Sequence, residues 1–144
     1  MAMSVKTITL WRREVENRPG ALADTLEPLA RAGVDLSVLM GYRHPGQGTA
    51  TIELYPVSGK KATAAAEAAG LSAAAIPTLL VQGDNRAGQA HAASKAIADA
   101  GINMAFFLAQ VTGRKASAVL GFETEADARR AASLIKKATA SKRK

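Results

Sequence analysis

Asn17-Arg18-Pro19-Gly20 returns, 68 residues later, as Asn85-Arg86-Ala87-Gly88. The same offset carries Gly33-Val34-Asp35-Leu36 onto Gly101-Ile102-Asn103-Met104 without a gap. Ala30, Ala32 and Ala50 fall on Ala98, Ala100 and Ala118. The chain is therefore one supersecondary unit written twice, and the period sets its architecture before any single residue is weighed. Each copy keeps an Asn-Arg pair and a glycine at the entrance to a helix. Each also keeps a polar residue, Asp35 or Asn103, at the start of the strand expected after that helix.

Working outward from the first copy, Thr7 to Glu16 has strand composition, with Ile8 and Leu10 alternating against threonine. Pro19 is expected to open a helix, where its missing N–H is harmless. Leu22, Leu26, Leu29 and Ala30 recur at helical spacing, and Gly33 supplies the left-handed end. Strands are expected over Asp35 to Arg43 and Thr49 to Val57, and a helix over Lys60 to Ala69. The second copy reads as strand Thr78 to Asp84, helix Gln89 to Ala100, strands Ile102 to Thr112 and Lys115 to Phe122, and helix Thr124 to Ala138. Thr124 and Asp127 have the spacing of a capping box.

The order β-α-β-β-α, with a closing strand, is the α+β ferredoxin-like βαββαβ arrangement: an antiparallel sheet with helices on one face. Two such repeats are expected, 1–75 and 76–138, followed by a basic tail at 139–144. The closing strands are weak. Leu71 to Ile76 is a poor candidate for the first copy, and only polar residues remain for the second, whose fourth strand is expected to be missing.

Composition narrows the function. Of 144 residues, 48% are hydrophobic but only 4% aromatic, which predicts a core of small and aliphatic side chains. With no cysteine, thiol chemistry and disulfides are excluded. Residues 1–128 are charge-balanced, and the whole net charge of +7 lies in 129–144. No apolar run is long enough to span a bilayer, so a soluble, cytoplasmic protein without membrane contact is expected. His44, in a Gly/Pro loop, and His91 have no ligand-spaced partners, so no metal site is read. No cofactor signature, catalytic triad or carboxylate pair is present, and an enzyme is not expected.

The repeated turn has its own chemistry. Glycine lets backbone approach a ligand, and the helix N-terminus beyond it offers free N–H groups and partial positive charge. That combination suits a carboxylate. Asn17 and Asn85 stand beside it, unless they serve only as helix caps. Asp35 and Asn103 lie at the opposite end of the unit. Within one copy the two polar positions stay apart, and they can meet only across an interface with another copy.

Glu16-Asn17-Arg18-Pro19-Gly20-Ala21-Leu22, Leu29-Ala30 and Gly33-Val34-Asp35-Leu36 resemble the ACT domain, a βαββαβ module of amino-acid-regulated proteins. The second copy is similar but looser, and together they cover nearly the whole chain. The resemblance implies a non-catalytic regulatory protein that holds an amino acid at interfaces between ACT-like units. It places the ligand contacts on Asn17, Pro19, Gly20 and Asp35, and on Asn85, Gly88 and Asn103. Unprotected strand edges and a missing fourth strand favour a homo-oligomer, a dimer in the simplest case, and without an output domain in the sequence a regulated partner protein is expected. Some members carry a histidine two residues before the first asparagine, where this chain has Val15 and Gly83.

The alternative is an interaction module docking on an acidic partner, or on nucleic acid, through the basic C-terminal segment. Nucleic acid is disfavoured. The RNA-recognition fold shares the element order but needs aromatics on its third strand, and Lys115 to Phe122 offers only Phe122. Phe106 and Phe107, adjacent in a strand, are expected on opposite faces of the sheet.

Overall fold

The computed structural model describes residues 3–140. Eight strands and four helices follow in the order β1 (Ser4–Ile8), β2 (Trp11–Glu16), α1 (Ala21–Arg31), β3 (Val38–His44), β4 (Thr49–Tyr55), α2 (Lys60–Ala68), β5 (Ser72–Ala73), β6 (Thr78–Asp84), α3 (Gln89–Asp99), β7 (Met104–Thr112), β8 (Lys115–Phe122) and α4 (Glu125–Ala138). They form two four-stranded antiparallel sheets, ordered β3-β4-β2-β5 and β7-β8-β6-β1. Each sheet with its two helices is a ferredoxin-like βαββαβ unit, as the repeat predicts.

The fourth strand of the second unit exists, and it comes from the opposite end of the chain. β1 pairs with β6 from Ser4 opposite Gln82 to Ile8 opposite Thr78. The stretch expected as one strand, Thr7 to Glu16, is thus divided between the sheets. The compact units are Thr9–Ala75 on one side and, on the other, the chain up to Ile8 with the described residues from Ile76 onward. The described residues up to Ile8 thus lie with the second copy and not with the first. The physical reason is local: Met3 and Val5 alternate towards an apolar core. In the first unit the closing strand is present but only two residues long, with Ala73 opposite Trp11.

The first unit's core joins Leu29, Ile52, Leu54, Ala66, Ala69 and Leu71. In the second, Leu79, Val81, Leu120 and Phe122 meet Ile97 and Ile135. Burying each leucine, isoleucine or phenylalanine stabilises its unit by about 1.5–3 kcal/mol. Helix faces follow their spacing. α1 turns Ala21, Thr25 and Leu29 inward. Leu22, expected on that face, is exposed, as is Ala30. Thr25 replaces them because Arg13 lies beneath it. In α4, Ala128, Ala131 and Ile135 face inward. Its N-terminus is capped as the sequence suggests, Thr124 Oγ1 accepting from the Asp127 N–H at 3.0 Å.

Two boundaries shift for steric reasons. Pro19 does not begin α1. It sits in the turn before Gly20, the N-cap residue, whose φ of 90° only glycine adopts readily. Asp35 and Asn103 lie in loops, since β3 begins at Val38 and β7 at Met104. Phe106 and Phe107 do point to opposite faces. Phe107 pairs with Leu120 on the helix side, and the Phe106 ring lies across Gly121 on the other. Thr139 and Ala140, read as the start of a tail, close α4. Thr139 is buried and accepts from the Met3 N–H at 3.3 Å. The remaining tail residues, 141–144, lie outside the described residues.

Candidate functional site

The repeated turns have matching backbones. In each, the asparagine N–H is tied across the hairpin, Asn17 to the Gly48 carbonyl at 2.9 Å and Asn85 to the Arg114 carbonyl at 2.8 Å. In each, a left-handed glycine opens the helix, Gly20 or Gly88, with no side-chain cap. Asn17 and Asn85 are therefore not caps, and both are exposed. The first N–H groups of α1 and α3 point their partial positive charge past those glycines.

The arginines then diverge. Arg18 turns onto its own turn and helix, donating to Asp24 at 3.1 Å and to the Pro19 carbonyl at 3.0 Å. Arg86 reaches across its unit to the Thr139 carbonyl at 2.8 Å, while its N–H donates to Gln89 Oε1 at 2.9 Å. Beside the second turn, Lys115 donates to Asp84 at 2.6 Å. That hydrogen bond and the lysine's charge hold the Asp84 carboxyl below the usual carboxylate range.

Beneath the second turn lies a cavity of about 270 Å³. Asn85, Arg86, Gly88 and Gln89 form one rim, and Val81, Ala93, Ala118 and Leu120 form part of its floor. Asn103 is not in it. A second hollow, of about 440 Å³, holds Asn103 with Ser94, Ile97, Ile102 and Phe106. Asn85 and Gly88 are thus brought together, and Asn103 stands at the far end of the unit. In the first unit Asn17, Pro19 and Gly20 share one turn, while Asp35 is exposed in the loop after α1. Each copy keeps its two polar positions apart.

The residue that sequence reasoning missed is Arg13. It stands on the helix side of β2, opposite Ile52. Its guanidinium donates to Thr25 Oγ1 at 3.1 Å and to the Ala69 carbonyl at 3.0 Å. It so ties α1 to the C-terminal end of α2. Its sequence signal was a charged residue at an alternation position that otherwise points inward.

The histidines stand as follows. His44 ends β3 rather than sitting in the loop after it. Its ring nitrogens lie 2.7 Å from Thr49 Oγ1 and 2.8 Å from Thr51 Oγ1, and Glu14 is 3.4 Å away. Next to it Tyr42 donates to the buried Glu53 at 2.6 Å. Burial, followed by that bond, raises the Tyr42 pKa. His91 is exposed on α3. Among the described residues no three His, Cys, Asp or Glu side chains are grouped to hold a metal, and no helix is long and apolar enough to cross a membrane.

No protein-family model matches the chain, and no curated protein matches it in sequence. Solved structures do resemble it. Protein BT0572 from Bacteroides thetaiotaomicron superposes with a TM-score of 0.72 at 15% identity, over 88% of this chain and 87% of that one. The regulatory subunit of aspartate kinase from Thermus thermophilus, in its ligand-free form, gives 0.63 at 15% identity, over 96% and 97%. A putative C-terminal regulatory domain of aspartate kinase from Porphyromonas gingivalis gives 0.57 at 8% identity, over 96% and 98%. At such identities the likeness is one of fold. The chain shares the fold of those regulatory domains, in agreement with an ACT-like fold.

Proposed function

We propose that this chain is a non-catalytic regulatory module that binds a small amino acid at interfaces between ACT-like units of two or more copies. One observation carries the reading. Each unit has an uncapped, glycine-opened helix N-terminus beside an asparagine at one end, and a second polar residue, Asp35 or Asn103, at the other. Neither unit can close both around one small ligand. Pairing two copies end to end can, with Gly88 backbone and the α3 N-terminus taking the carboxylate and carboxamides taking the amine. The second unit is favoured because it keeps asparagine at both positions, whereas Asp35 would repel a carboxylate. Pro19 and Gly20 shape the equivalent turn in the first unit.

The fold likeness adds support. The Thermus regulatory subunit is covered almost entirely by this chain, so a regulatory subunit of an enzyme can consist of this fold alone. Ligand that binds the paired form better than the alternatives shifts the population, and the shift is the signal to a partner protein. The test is the melting temperature of Asn85→Ala/Asn103→Ala against the parent, with amino acids at millimolar concentration. The parent is expected to be stabilised by one or a few amino acids and the double variant by none. Equal stabilisation of both would refute the site.

A further inference from the structure

The two units differ in one place that the repeat does not predict. Arg13 and Val81 are counterparts, each three residues before the end of its strand, with Ile52 and Ala118 opposite them. The β7–β8 connection is two residues shorter than the β3–β4 one, so in the fold Ala118 corresponds to Ile52 and not, as the 68-residue offset has it, to Ala50. Thr25 and Ala93 are each the fifth residue of the helix above. Ala69 and Thr139 are the C-caps of α2 and α4. In the first unit the arginine side chain runs through this space to Thr25 and Ala69. In the second unit valine and two alanines stand there instead, and the space is the cavity of about 270 Å³.

Its chemistry is one-sided. The walls carry methyl and methylene groups from Val81, Ala93, Ala118, Leu120 and Ile135. Among the described residues lining it, Arg86 is the one that is charged, and none is an aspartate or glutamate. The α3 N-terminus, opened by Gly88 without a side-chain cap, lies on the same rim. An apolar cavity of about 150 Å³ already takes a benzene-sized molecule, so this one accepts a somewhat larger body. A rim of one sign selects the charge of the head group.

We infer that the second unit holds, within itself, a site for a small monocarboxylate with a compact branched or aromatic apolar body. The apolar body fills the space that Arg13 occupies in the first unit, and the carboxylate meets the Arg86 and α3 rim. A cationic head of the same shape is disfavoured because no acid among the described residues lines the cavity. This goes beyond the amino-acid reading, which places its ligand between units: the two share the α3 N-terminus, but the apolar cavity that carries this site lies within the second unit alone.

The probe is 4-methylpentanoate, with 4-methylpentan-1-amine as the cationic control. In the full chain, 4-methylpentanoate is expected to raise the melting temperature saturably and the amine to have a much smaller effect. Ala118→Ile, which places the first unit's residue in the cavity, is expected to weaken carboxylate binding at least tenfold. That variant leaves Asn85 and Asn103 in place, so its response to amino acids reports separately on the interface reading. Carbon-13 alanine-methyl spectra of the unsubstituted protein make the result independent of how the variant folds. Ala93 and Ala118 should shift with the probe, and Ala66 of the first unit should not. No binding, equal binding by the amine, undiminished binding by a folded Ala118→Ile, or methyl shifts elsewhere alone would each overturn the assignment.

Discussion

The first unit fills the space under its helices with Arg13, and the second leaves that space open. Both have the same strand order, the same left-handed glycine before the helix and the same asparagine in the turn. What separates them is side-chain volume at three inward positions. Arg13, Thr25 and Ile52 in one correspond to Val81, Ala93 and Ala118 in the other. A duplicated fold can so keep its backbone and divide its roles, one copy closed by an internal hydrogen-bonded arginine and the other hollow. The arginine in the closed copy satisfies a helix C-terminal carbonyl, one of the groups that a helix end leaves without a partner.

The comparison breaks most completely if β1 is removed. Deleting residues 1–8 takes Met3, Val5 and Ile8 from the second unit and leaves β6 with an unpaired edge. The loss of the buried side chains alone is on the order of 5 kcal/mol. Hydrogen exchange should show lost protection across β6 and β8, while β2 and β4 stay protected. Equal loss in both units would mean that β1 is not private to the second.

A smaller effect tests the filled copy. Arg13→Val installs the second unit's residue in the first. It removes charge-assisted bonds to Thr25 and Ala69, and about 2–3 kcal/mol of stability should go with them. Chemical denaturation would read it, and a change under about 0.5 kcal/mol would show that the arginine does not hold the unit together.

The smallest effect sharpens the contrast between the turns. Asp84 is paired with Lys115, and its pKa lies below the ordinary value. A carboxyl with a depressed folded-state pKa contributes stability that is present above its unfolded pKa and is lost as pH falls through the folded one. Asp84→Asn should therefore melt slightly below the parent near neutral pH. The two should converge in acid, once the parent's carboxylate is protonated. A gap that persists at the acid end would point to a cause other than the ion pair. Asp84 is exposed, so solvent screening keeps the effect small.

Much of this is legible in the sequence. The repeat identified the fold, glycines marked the helix ends, and β6, β8 and the Thr124 cap fall where the sequence places them. What local pattern could not say was which sheet a strand joins. Alternation shows that Thr7 to Glu16 is extended, but pairing is a long-range matter, and β1 goes to residues 70 to 78 positions away. The polar end of the chain hid the same answer, since a missing fourth strand and a surplus first one are read at opposite termini. The cavity was hidden for a related reason. Val81, Ala93 and Ala118 look unremarkable singly, and their small volumes matter only where strand and helix bring them together. Arg13 was visible as a charge at an inward position, yet only its bonds to Thr25 and Ala69 explain it.

The most direct test of the regulatory reading is a melting-temperature screen of the purified chain against the twenty amino acids at millimolar concentration. The account predicts a selective rise with one or a few of them, accompanied by a larger assembly in sedimentation, because the ligand binds between copies. A flat screen on folded protein, or stabilisation of an unchanged monomer, would contradict it.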